Sequence, residues 1–445
     1  MHIALTPLDG RYYSRVEELV SYLSEDALTH YRLKIEIDWL KFFNELVGKP
    51  LDAKLTAQLN KLLDNFSHED AEAIRAIEAK VINDVKAVEI WLGNFLGTIG
   101  AESYVPLLHF GRTSEDISNV SYALMLQDAR KNVLQPALQA VLKQVDGIAH
   151  HAGSFAMLAR THGQPATPTT LGKEFAVFSS RLKRQIQNID NVQILAKFNG
   201  ATGTYAADNM AYPDIDWPKQ MQKFVELEGL EFNPLTTQIE PHDWIARLCN
   251  ELALAGAIMT DLSRDCWQYI SMGYLKQIPD TDEVSSSTMP HKVNPIAFEK
   301  AEANFGVANA LLRHLSEKLP ISRLQRDLSD SSSLRSLSEA LGHFLVATKS
   351  LSNGLSKVTA DEGAMLSDLE NEWAILMEAV QTIMRKNGIA DAYDQMKKFS
   401  RDKKVTKEDI HSLIEGLDID PADKKRLMAL TPATYIGLAA GLAKH

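Results

Sequence analysis

The sequence predicts an all-α protein with more than one domain. Apolar residues recur three and four positions apart through most of the chain, which is the spacing of amphipathic helices. Strand signals are sparse throughout, so sheet contributes little to the expected fold. At 445 residues the chain also exceeds the size at which one hydrophobic core keeps growing, so two or three domains are expected.

The composition is that of an ordinary globular protein, with 45% hydrophobic and 24% charged residues. A net charge of -11 argues against a general affinity for nucleic acid or anionic membranes, because both require a basic face. No apolar run approaches the length of a membrane span, and residues 1–15 lack the charged start and apolar middle of a signal peptide. We therefore expect a cytoplasmic protein.

Cys249 and Cys266 are the only cysteines, and they lie in one helical pattern too far apart to be bridged along it. Buried reduced thiols are the expected outcome. A zinc site would need further ligands close by, and none is suitably spaced. Neither a metal nor a cofactor is expected.

Residues 17 to about 100 carry a helical pattern. Leu40, Phe43 and Leu46 lie at helical spacing, and residues 48–50, Gly-Lys-Pro, end that helix. Residues 83–86, Asn-Asp-Val-Lys, fall inside a further helical stretch, where a charged exposed face is the simplest interpretation.

A loop followed by a new helix is predicted around residues 109–116. Thr113 can cap this helix with Asp116 in the third position, as in a capping box. Hydroxyls and free N–H groups at a helix start also suit an anion. On spacing alone simple capping is favoured, and an anion site is the alternative.

A second polar loop is predicted at residues 161–168, which include His162 and two prolines. A lone histidine is more often structural than catalytic, but this loop supplies no apolar stripe to bury it, so both roles stay open. A helix is expected from residue 171 to residue 195, and residues 199–203, Asn-Gly-Ala-Thr-Gly, break it. That segment is no dinucleotide fingerprint, because it follows a helix and lacks the glycine spacing.

A heptad-like stripe of apolar residues follows from residue 245. It consists of Leu248, Leu252, Ala255, Met259, Leu262, Cys266 and Tyr269. Such a seam needs partner helices and predicts a bundle built from more than one subunit. A buried helix in a single-chain bundle would give the same pattern.

The third polar loop covers residues 285–295, Ser-Ser-Ser-Thr-Met-Pro-His-Lys-Val-Asn-Pro. Hydroxyls, a cation and an amide crowded between two long helical patterns indicate chemistry rather than a simple connection. Asn294 is a good cap with Pro295 at the first helical position, so a helix is expected from there towards Pro320.

Residues 325–335 place Arg326 and Arg335 among several hydroxyls. This arrangement suits phosphate or carboxylate recognition, and a salt-bridged surface turn is an equal alternative. Beyond about residue 358 the pattern changes to shorter helices, which predicts a separate helical cap.

The three polar loops together offer a histidine, a serine, a lysine, a carboxylate and several anion donors. Nucleophilic hydrolysis would need a serine on a rigid turn, held by a histidine and an acid, and a flexible polar loop fits that poorly. Acid–base elimination fits better, because it needs one group to take a proton, another to give one, and donors for a developing carbanion.

Residues 286–295 resemble the signature of the fumarase/aspartase superfamily, whose members eliminate fumarate from succinyl compounds. Residues 113–114, Thr-Ser, and 161–164, Thr-His-Gly-Gln, are similar to its other two active-site segments. Residues 9–12, 237–243 and 325–327 further resemble the branch that acts on adenylosuccinate. The resemblance covers nearly the whole chain.

The resemblance implies a role for each matching residue. Ser286 would be the general base, with Lys292 favouring its alkoxide, and His162 would be the general acid. Glu299 would orient His162. The residues implied to hold the succinyl group are Thr113, Ser114, Gln238, Lys292 and Asn294. The residues implied to hold the nucleotide phosphate are Arg11, Tyr12, Arg326, Ser331 and Arg335.

Two positions depart from the superfamily's pattern. Ser285 stands where a glycine is usual, which should stiffen the loop. Asn83, in the segment Asn83-Asp84-Val85, stands where a histidine is common. That side chain cannot carry charge but can donate a hydrogen bond, so activity with altered substrate contacts at Asn83 and Asp84 is expected.

The resemblance also implies an architecture and a partner. Three mostly helical domains are expected at residues 1–103, 104–355 and 356–445, with a central long-helix bundle that assembles into a homotetramer with shared active sites. The expected ligand is a small nucleotide substrate. Two alternatives stay open: another fumarate-releasing lyase, such as argininosuccinate lyase, and a catalytically silent crystallin-like helical protein.

Overall fold

A computed structural model describes residues 4–278, 288–289, 291–401 and 403–444. This part of the chain is mostly helical with a few short strands, which confirms the all-α prediction. None of its helices is long and apolar enough to cross a membrane.

Fourteen α-helices, most of them long, are described up to about residue 356. The first seven are α1 (Tyr13–Leu23), α2 (Glu25–Leu46), α3 (Ala53–Asp64), α4 (His68–Val81), α5 (Asp84–Thr98), α6 (Ser114–Ala129) and α7 (Gln135–His151). The next seven are α8 (Leu171–Asp190), α9 (Ala206–Ala211), α10 (Trp217–Leu227), α11 (Asp243–Ser271), α12 (Ile296–Lys318), α13 (Ser329–Leu334) and α14 (Leu337–Ser356). A single π turn, Arg130–Leu134, lies between α6 and α7.

Shorter helices follow residue 356, as the sequence pattern predicts. They are α15 (Glu362–Glu370), α16 (Met377–Lys386), α17 (Ala392–Ser400), α18 (Lys407–Glu415), α19 (Pro421–Met428) and α20 (Ala439–Leu442). Short 3₁₀ segments lie at Glu102–Leu107 and Trp373–Leu376.

The strands pair two at a time. β1 (Ala156–Thr161) and β2 (Gln164–Thr170) form an antiparallel hairpin with Thr161 opposite Gln164. β3 (Leu195–Ala196) runs parallel to β4 (Glu231–Phe232), and β5 (Leu275–Gln277) runs antiparallel to β6 (Val358–Ala360).

The chain forms two compact units. Unit 1 comprises Met1–Leu138, Ile186–Ala257 and Asn304–Ala347, and unit 2 comprises Gln139–Gln185, Ile258–Ala303 and Thr348–His445. The unit boundaries therefore fall within the long helices α7, α8, α11, α12 and α14. The division into three domains stays a prediction.

Each unit has its own hydrophobic core. In unit 1, Leu33, Ile37 and Leu40 share one face of α2 and pack with Leu92 and Leu96 of α5. Burying each such side chain contributes roughly 1.5–3 kcal/mol. The C-terminal helices of unit 2 build a second cluster from Leu376, Val380, Met384, Ile410 and Ile414.

The heptad-like stripe on α11 is largely buried within the single chain. Leu248, Leu252, Met259 and Leu262 are each at most 2% exposed, so intrachain packing accounts for the pattern. Cys249 and Cys266 on the same helix are buried free thiols, as expected.

Two expected boundaries differ from the structure because longer-range structure overrides the local pattern. Residues 161–168 are mostly strand, since β1 and β2 pair across them and leave only His162 and Gly163 as the turn. The helix expected to reach residue 195 ends at Asp190, because Leu195 enters the pairing with β4.

The expectation that residues 83–86 lie inside a helix is confirmed for residues 84–86, which open α5, and was wrong for Asn83. Helix α4 ends at Val81, Ile82 adopts a left-handed conformation with φ of 55°, and Asn83 caps α5. The Asn83 side chain accepts a hydrogen bond from the Lys86 N–H, which is the bond that makes asparagine a favoured cap. Helix α12 begins at Ile296, one residue after the predicted start at Pro295.

Candidate active site

The N-terminus of α6 carries two of the residues expected to bind substrate. Thr113 precedes the helix and Ser114 is its first residue. The Thr113 N–H donates to Asp116 Oδ2 at 2.9 Å, as predicted for a capping box with Thr113 as the cap and Asp116 in the third position. A helix start with hydroxyls nearby favours a bound anion, so capping and anion binding are compatible at this site.

Gln238 lies beside this helix start although it is far away in sequence. Its Nε2 donates to Thr113 Oγ1 at 3.3 Å. Gln238 belongs to the loop before α11 and is half-buried. Unit 1 therefore brings together three residues that the sequence assigned to the succinyl group: Thr113, Ser114 and Gln238.

Arg326 links the same helix start to a second group of expected residues. Its Nη2 lies 2.8 Å from Glu115 Oε1 and donates to Ser331 Oγ at 2.9 Å. The Arg326 Nε is buried and has no hydrogen-bond partner among the described residues. The Arg326 side chain as a whole is 17% exposed, so part of its guanidinium is accessible, and a guanidinium is a strong donor to anionic ligands.

Glu115 is the buried counter-charge of Arg326. Burial raises the pKa of the Glu115 carboxyl, nearby Asp330 raises it further, and the Arg326 guanidinium partly opposes both effects. Glu115 is 4% exposed. The Glu115 and Arg326 pair therefore holds a guanidinium at the helix start in a desolvated position, where hydrogen bonds to a phosphate or carboxylate are strong.

A second arginine, Arg335, is held by acidic residues of unit 1. Asp84 Oδ2 lies 3.3 Å from Arg335 Nη2 and 2.7 Å from Arg32 Nη1, and Glu25 pairs with Arg335 Nη1. Burial alone would raise the pKa of Asp84, but the Arg32 and Arg335 guanidiniums outweigh it and hold the pKa below its ordinary value. Asp84 therefore stays charged and fixes Arg335.

Asn83, at the adjacent position, is exposed and its side-chain oxygen is committed to capping α5. Only its amide nitrogen is left to donate to a ligand. Arg11 is exposed in the turn before α1, and Tyr12 packs against Leu8, Val16 and Val346.

His162 occupies the tip of the β1–β2 hairpin in unit 2. His162 has φ of 54° and Gly163 has φ of 75°, the two positive values that a type I′ hairpin turn requires. The side chain is exposed and makes no hydrogen bond or ion pair with any residue that the structure describes. Its position leaves the imidazole accessible to a ligand.

Glu299, on the first turn of α12, is also exposed. Its Oε1 accepts a hydrogen bond from Trp267 Nε1 at 3.1 Å. Within the described residues Glu299 thus contacts a tryptophan of α11, and its expected pairing with His162 stays a prediction. Lys292 is exposed and Asn294 is half-buried in the turn that leads into α12.

Ser286, the expected general base, lies outside the described residues, and so does Ser285. Their roles rest on the sequence alone.

The sequence did not single out Arg32 or Lys197, which the structure places against the expected site residues. Arg32 is 7% exposed and bonds Asp84, while Lys197 is fully buried and bonds Asp116 at 2.8 Å. Lys197 lies within the apolar run of residues 194–198, Ile-Leu-Ala-Lys-Phe. A lysine inside such an apolar run could have indicated a buried ion pair, because lysines are rarely buried unless they are paired.

In chemical terms, unit 1 supplies two arginines, hydroxyls, an amide and a helix start, a set that suits an anionic substrate with phosphate and carboxylate groups. Unit 2 supplies an exposed histidine, a lysine and a carboxylate, which are groups for proton transfer.

Two family models match this chain. The model described as "Lyase" matches residues 10–308, and the model described as "Adenylosuccinate lyase C-terminal" matches residues 322–436.

Curated relatives match over nearly the full length. The adenylosuccinate lyase of Legionella pneumophila (strain Corby) is 45% identical, covering 99% of this chain and 98% of the relative. The adenylosuccinate lyase of Haemophilus influenzae is 43% identical with the same coverage. That of Escherichia coli (strain K12) is 42% identical, covering 98% of this chain and 97% of the relative.

Solved structures share the fold at lower identity. A fumarate lyase from Mesorhizobium sp. BNC1 has a TM-score of 0.79 at 18% identity and covers 96% of both chains. The 3-carboxy-cis,cis-muconate lactonizing enzyme from Pseudomonas putida has a TM-score of 0.77 at 19% identity, covering 96% of this chain and 95% of that one.

Proposed function

The chain belongs to the adenylosuccinate lyase branch of the lyase family, and from this premise we infer that it eliminates fumarate from adenylosuccinate to give AMP. The observation that carries this inference is the 41–45% identity to curated adenylosuccinate lyases along almost the entire chain. We propose that the same site also eliminates fumarate from the succinylated carboxamide ribotide of purine synthesis.

The proposed reaction moves one proton off carbon and one onto nitrogen. A base removes the proton from the succinyl Cβ, the electron pair forms the double bond of fumarate, and the bond between the succinyl carbon and the purine nitrogen breaks. An acid protonates that nitrogen as it leaves. We assign the base to Ser286, assisted by Lys292, and the acid to His162. The exposed imidazole at the β1–β2 turn supports the assignment of His162.

We propose that the nucleotide phosphate binds at Arg326, Ser331 and Arg335, with Arg11 and Tyr12 contributing from the turn before α1. The partly exposed Arg326 guanidinium, which Glu115 and Ser331 hold at the α6 N-terminus, supports this proposal, because a guanidinium is a strong donor to phosphate oxygens. Asp84 supports it indirectly by holding Arg335 in place.

We propose that the succinyl carboxylates bind at the α6 N-terminus and at the loop before α12. The residues are Thr113, Ser114, Gln238, Lys292 and Asn294. The contact between Gln238 and Thr113 supports a shared binding surface, and the positive end of the α6 dipole favours an anion there.

We further propose a cytoplasmic homotetramer with active sites shared between subunits. Several large apolar side chains on the long helices are left exposed in the single chain. They include Val177 on α8 (42%), Leu254 and Trp267 on α11 (50% and 43%) and Val307 on α12 (46%). A second subunit covering these positions would remove that apolar area from water.

A fumarate-release assay tests the function. The purified protein is given adenylosuccinate, the succinylated ribotide or argininosuccinate, and fumarate is followed by its ultraviolet absorbance. We expect turnover of the first two substrates and none of the third. Turnover of argininosuccinate alone would favour the other fumarate-releasing lyase, and a folded oligomer without any turnover would favour the crystallin-like alternative.

A further inference from the structure

The loop at residues 199–203, which carries none of the expected substrate-binding residues, is bonded to Asp116. Asp116 is fully buried, and its Oδ1 accepts from the Asn199 N–H at 3.0 Å and from Lys197 Nζ at 2.8 Å. Its Oδ2 accepts from the Thr113 N–H at 2.9 Å. One carboxylate therefore ties the 199–203 loop to the helix start that carries Thr113 and Ser114.

The charge of Asp116 is balanced inside the protein. Burial would raise the pKa of Asp116, but Lys197 and Arg112 outweigh it and keep the pKa below its ordinary value. Lys197 also donates to the Gly200 carbonyl at 3.0 Å, and Arg112 pairs with Asp208. The loop is thus held on Asp116 in two ways: by the hydrogen bond from the Asn199 N–H, and by Lys197, which pairs with Asp116 and also bonds the Gly200 carbonyl.

The same loop is bonded to the segment that carries Gln238. Asn199 Nδ2 donates to Thr236 Oγ1 at 2.8 Å, and that hydroxyl lies 3.1 Å from the Thr237 carbonyl, to which it can donate. Gly203, with φ of 71°, lets the Thr236 backbone carbonyl approach where a Cβ would collide with it. The peptide just before Gln238 is therefore fixed against the loop.

These bonds close a ring. Thr113 is joined to Asp116, Asp116 to Asn199, Asn199 to Thr236, and Gln238, two residues further, donates back to Thr113 at 3.3 Å. The members of the ring come from three separate parts of the chain, and the contact between Thr113 and Gln238 completes it.

We propose that Asn199 and Thr236 are positioning residues that set the Gln238 amide against Thr113 and so shape the part of the site that holds the succinyl group. The proposal rests on the adenylosuccinate lyase function inferred above. Neither residue needs to touch the substrate. Their effect reaches the succinyl group through Gln238, and the phosphate site at Arg326 does not depend on the hydroxyl of Thr236.

The test compares Thr236→Val, which keeps the shape but removes the hydroxyl, with Thr236→Ser, which keeps the hydroxyl. Product inhibition by fumarate reports the succinyl site, and product inhibition by AMP reports the nucleotide site. For Thr236→Val we expect the fumarate inhibition constant to rise about tenfold, the scale of one or two lost neutral hydrogen bonds. For Thr236→Ser both inhibition constants should stay within about twofold of wild type. For Thr236→Val the AMP inhibition constant should also stay within about twofold of wild type.

A double-mutant cycle separates positioning from a general structural role. In a Gln238→Ala background the Thr236→Val substitution should no longer change the fumarate constant, because its effect passes through Gln238. Three results would each overturn the proposal. The effects of Thr236→Val and Gln238→Ala on the fumarate inhibition constant could be additive, or Thr236→Val could raise the fumarate and AMP inhibition constants equally. Thr236→Val could also leave the fumarate inhibition constant unchanged. Should Thr236→Val fail to fold, Thr236→Ala takes its place under the same criteria. Absence of adenylosuccinate turnover by the wild-type protein is a separate result, which overturns the proposed function itself.

Discussion

Arg326 Nη2 lies 2.8 Å from Glu115 Oε1, so a guanidinium from the loop before α13 is anchored at the first turn of α6. This pair joins the segment expected to bind phosphate with the segment expected to bind the succinyl group. Both segments belong to unit 1.

The anchoring of Arg326 predicts that Arg326→Lys weakens nucleotide binding although the charge is kept. An ammonium cannot contact Glu115, Ser331 and a phosphate with the fixed geometry of a guanidinium. We expect the KM for adenylosuccinate and the AMP inhibition constant to rise about 10–100-fold, as for a lost hydrogen bond to a charged group. Arg323→Lys is the matched control, since Arg323 is exposed and pairs with Asp327 alone among the described acidic residues. Equal effects of the two substitutions would contradict the assignment.

The pairing of Asp84 with Arg32 and Arg335 predicts a pH-dependent stability. The folded pKa of Asp84 is lowered, so its contribution is fully present above the unfolded value of about 3.9 and is lost as the pH falls through the folded pKa. Asp84→Asn should cost about 1.5–3 kcal/mol at pH 7, and the difference from wild type should shrink below about pH 4.

Melting temperatures of wild type and Asp84→Asn across that pH range check this prediction. The exposed residue Asp214 provides the control substitution Asp214→Asn. A gap between wild type and Asp84→Asn that stays constant down to pH 3.5 would show that charge on Asp84 is not the source of the stability.

The accessible imidazole of His162 predicts a large loss of turnover in His162→Gln. Removing a general acid typically costs about 10²–10⁴-fold in kcat, while the folded state should be unaffected because the side chain is exposed. His150→Gln, at an exposed histidine near the end of α7, is the control. Steady-state kcat and melting temperature should be measured for both, and a His162→Gln enzyme with near-normal kcat would remove the role of His162.

Gly111 leaves room for the ion pair between Arg112 and Asp208, so we expect a larger residue at position 111 to destabilise the protein. Gly111 has φ of 68°, and a Cβ at this position would run into the Asp208 carboxylate that pairs with Arg112. Gly111→Ala should destabilise the protein by at least about 1–3 kcal/mol. Gly97→Ala, in helix α5 with open space around it, should be neutral or stabilising by up to roughly 1 kcal/mol. Thermal unfolding of the two variants distinguishes these outcomes.

The exposed apolar side chains of the long helices predict that a charge will disrupt assembly. Leu254→Glu on α11 should convert the proposed tetramer into smaller species, because a carboxylate would be buried without a partner. Leu235→Glu is the control, since Leu235 is 88% exposed in a loop. Light scattering after gel filtration measures both. A tetramer that tolerates Leu254→Glu would exclude that face of α11 from the interface.

The sequence determined those features that depend on neighbours along the chain. Helical periodicity predicted the all-α fold, and the spacing of Thr113 and Asp116 predicted the start of α6. Asn294 and Pro295 placed the start of α12 within one residue. Helix propensity, capping and apolar spacing act over a few residues, so a single sequence is enough to predict them.

Only the tertiary structure decided which distant residues meet. The pairing of β1 with β2 makes most of residues 161–168 strand, although the prolines there had indicated a loop. The pairing of β3 with β4 likewise places the expected helix end at Leu195 in a strand. Arg32 with Asp84 and Lys197 with Asp116 each join residues more than fifty positions apart, and the sequence predicted neither pair. Such partners are set by how helices and loops pack around shared cores, and burial of a charge becomes tolerable only when that packing brings its counter-charge within reach.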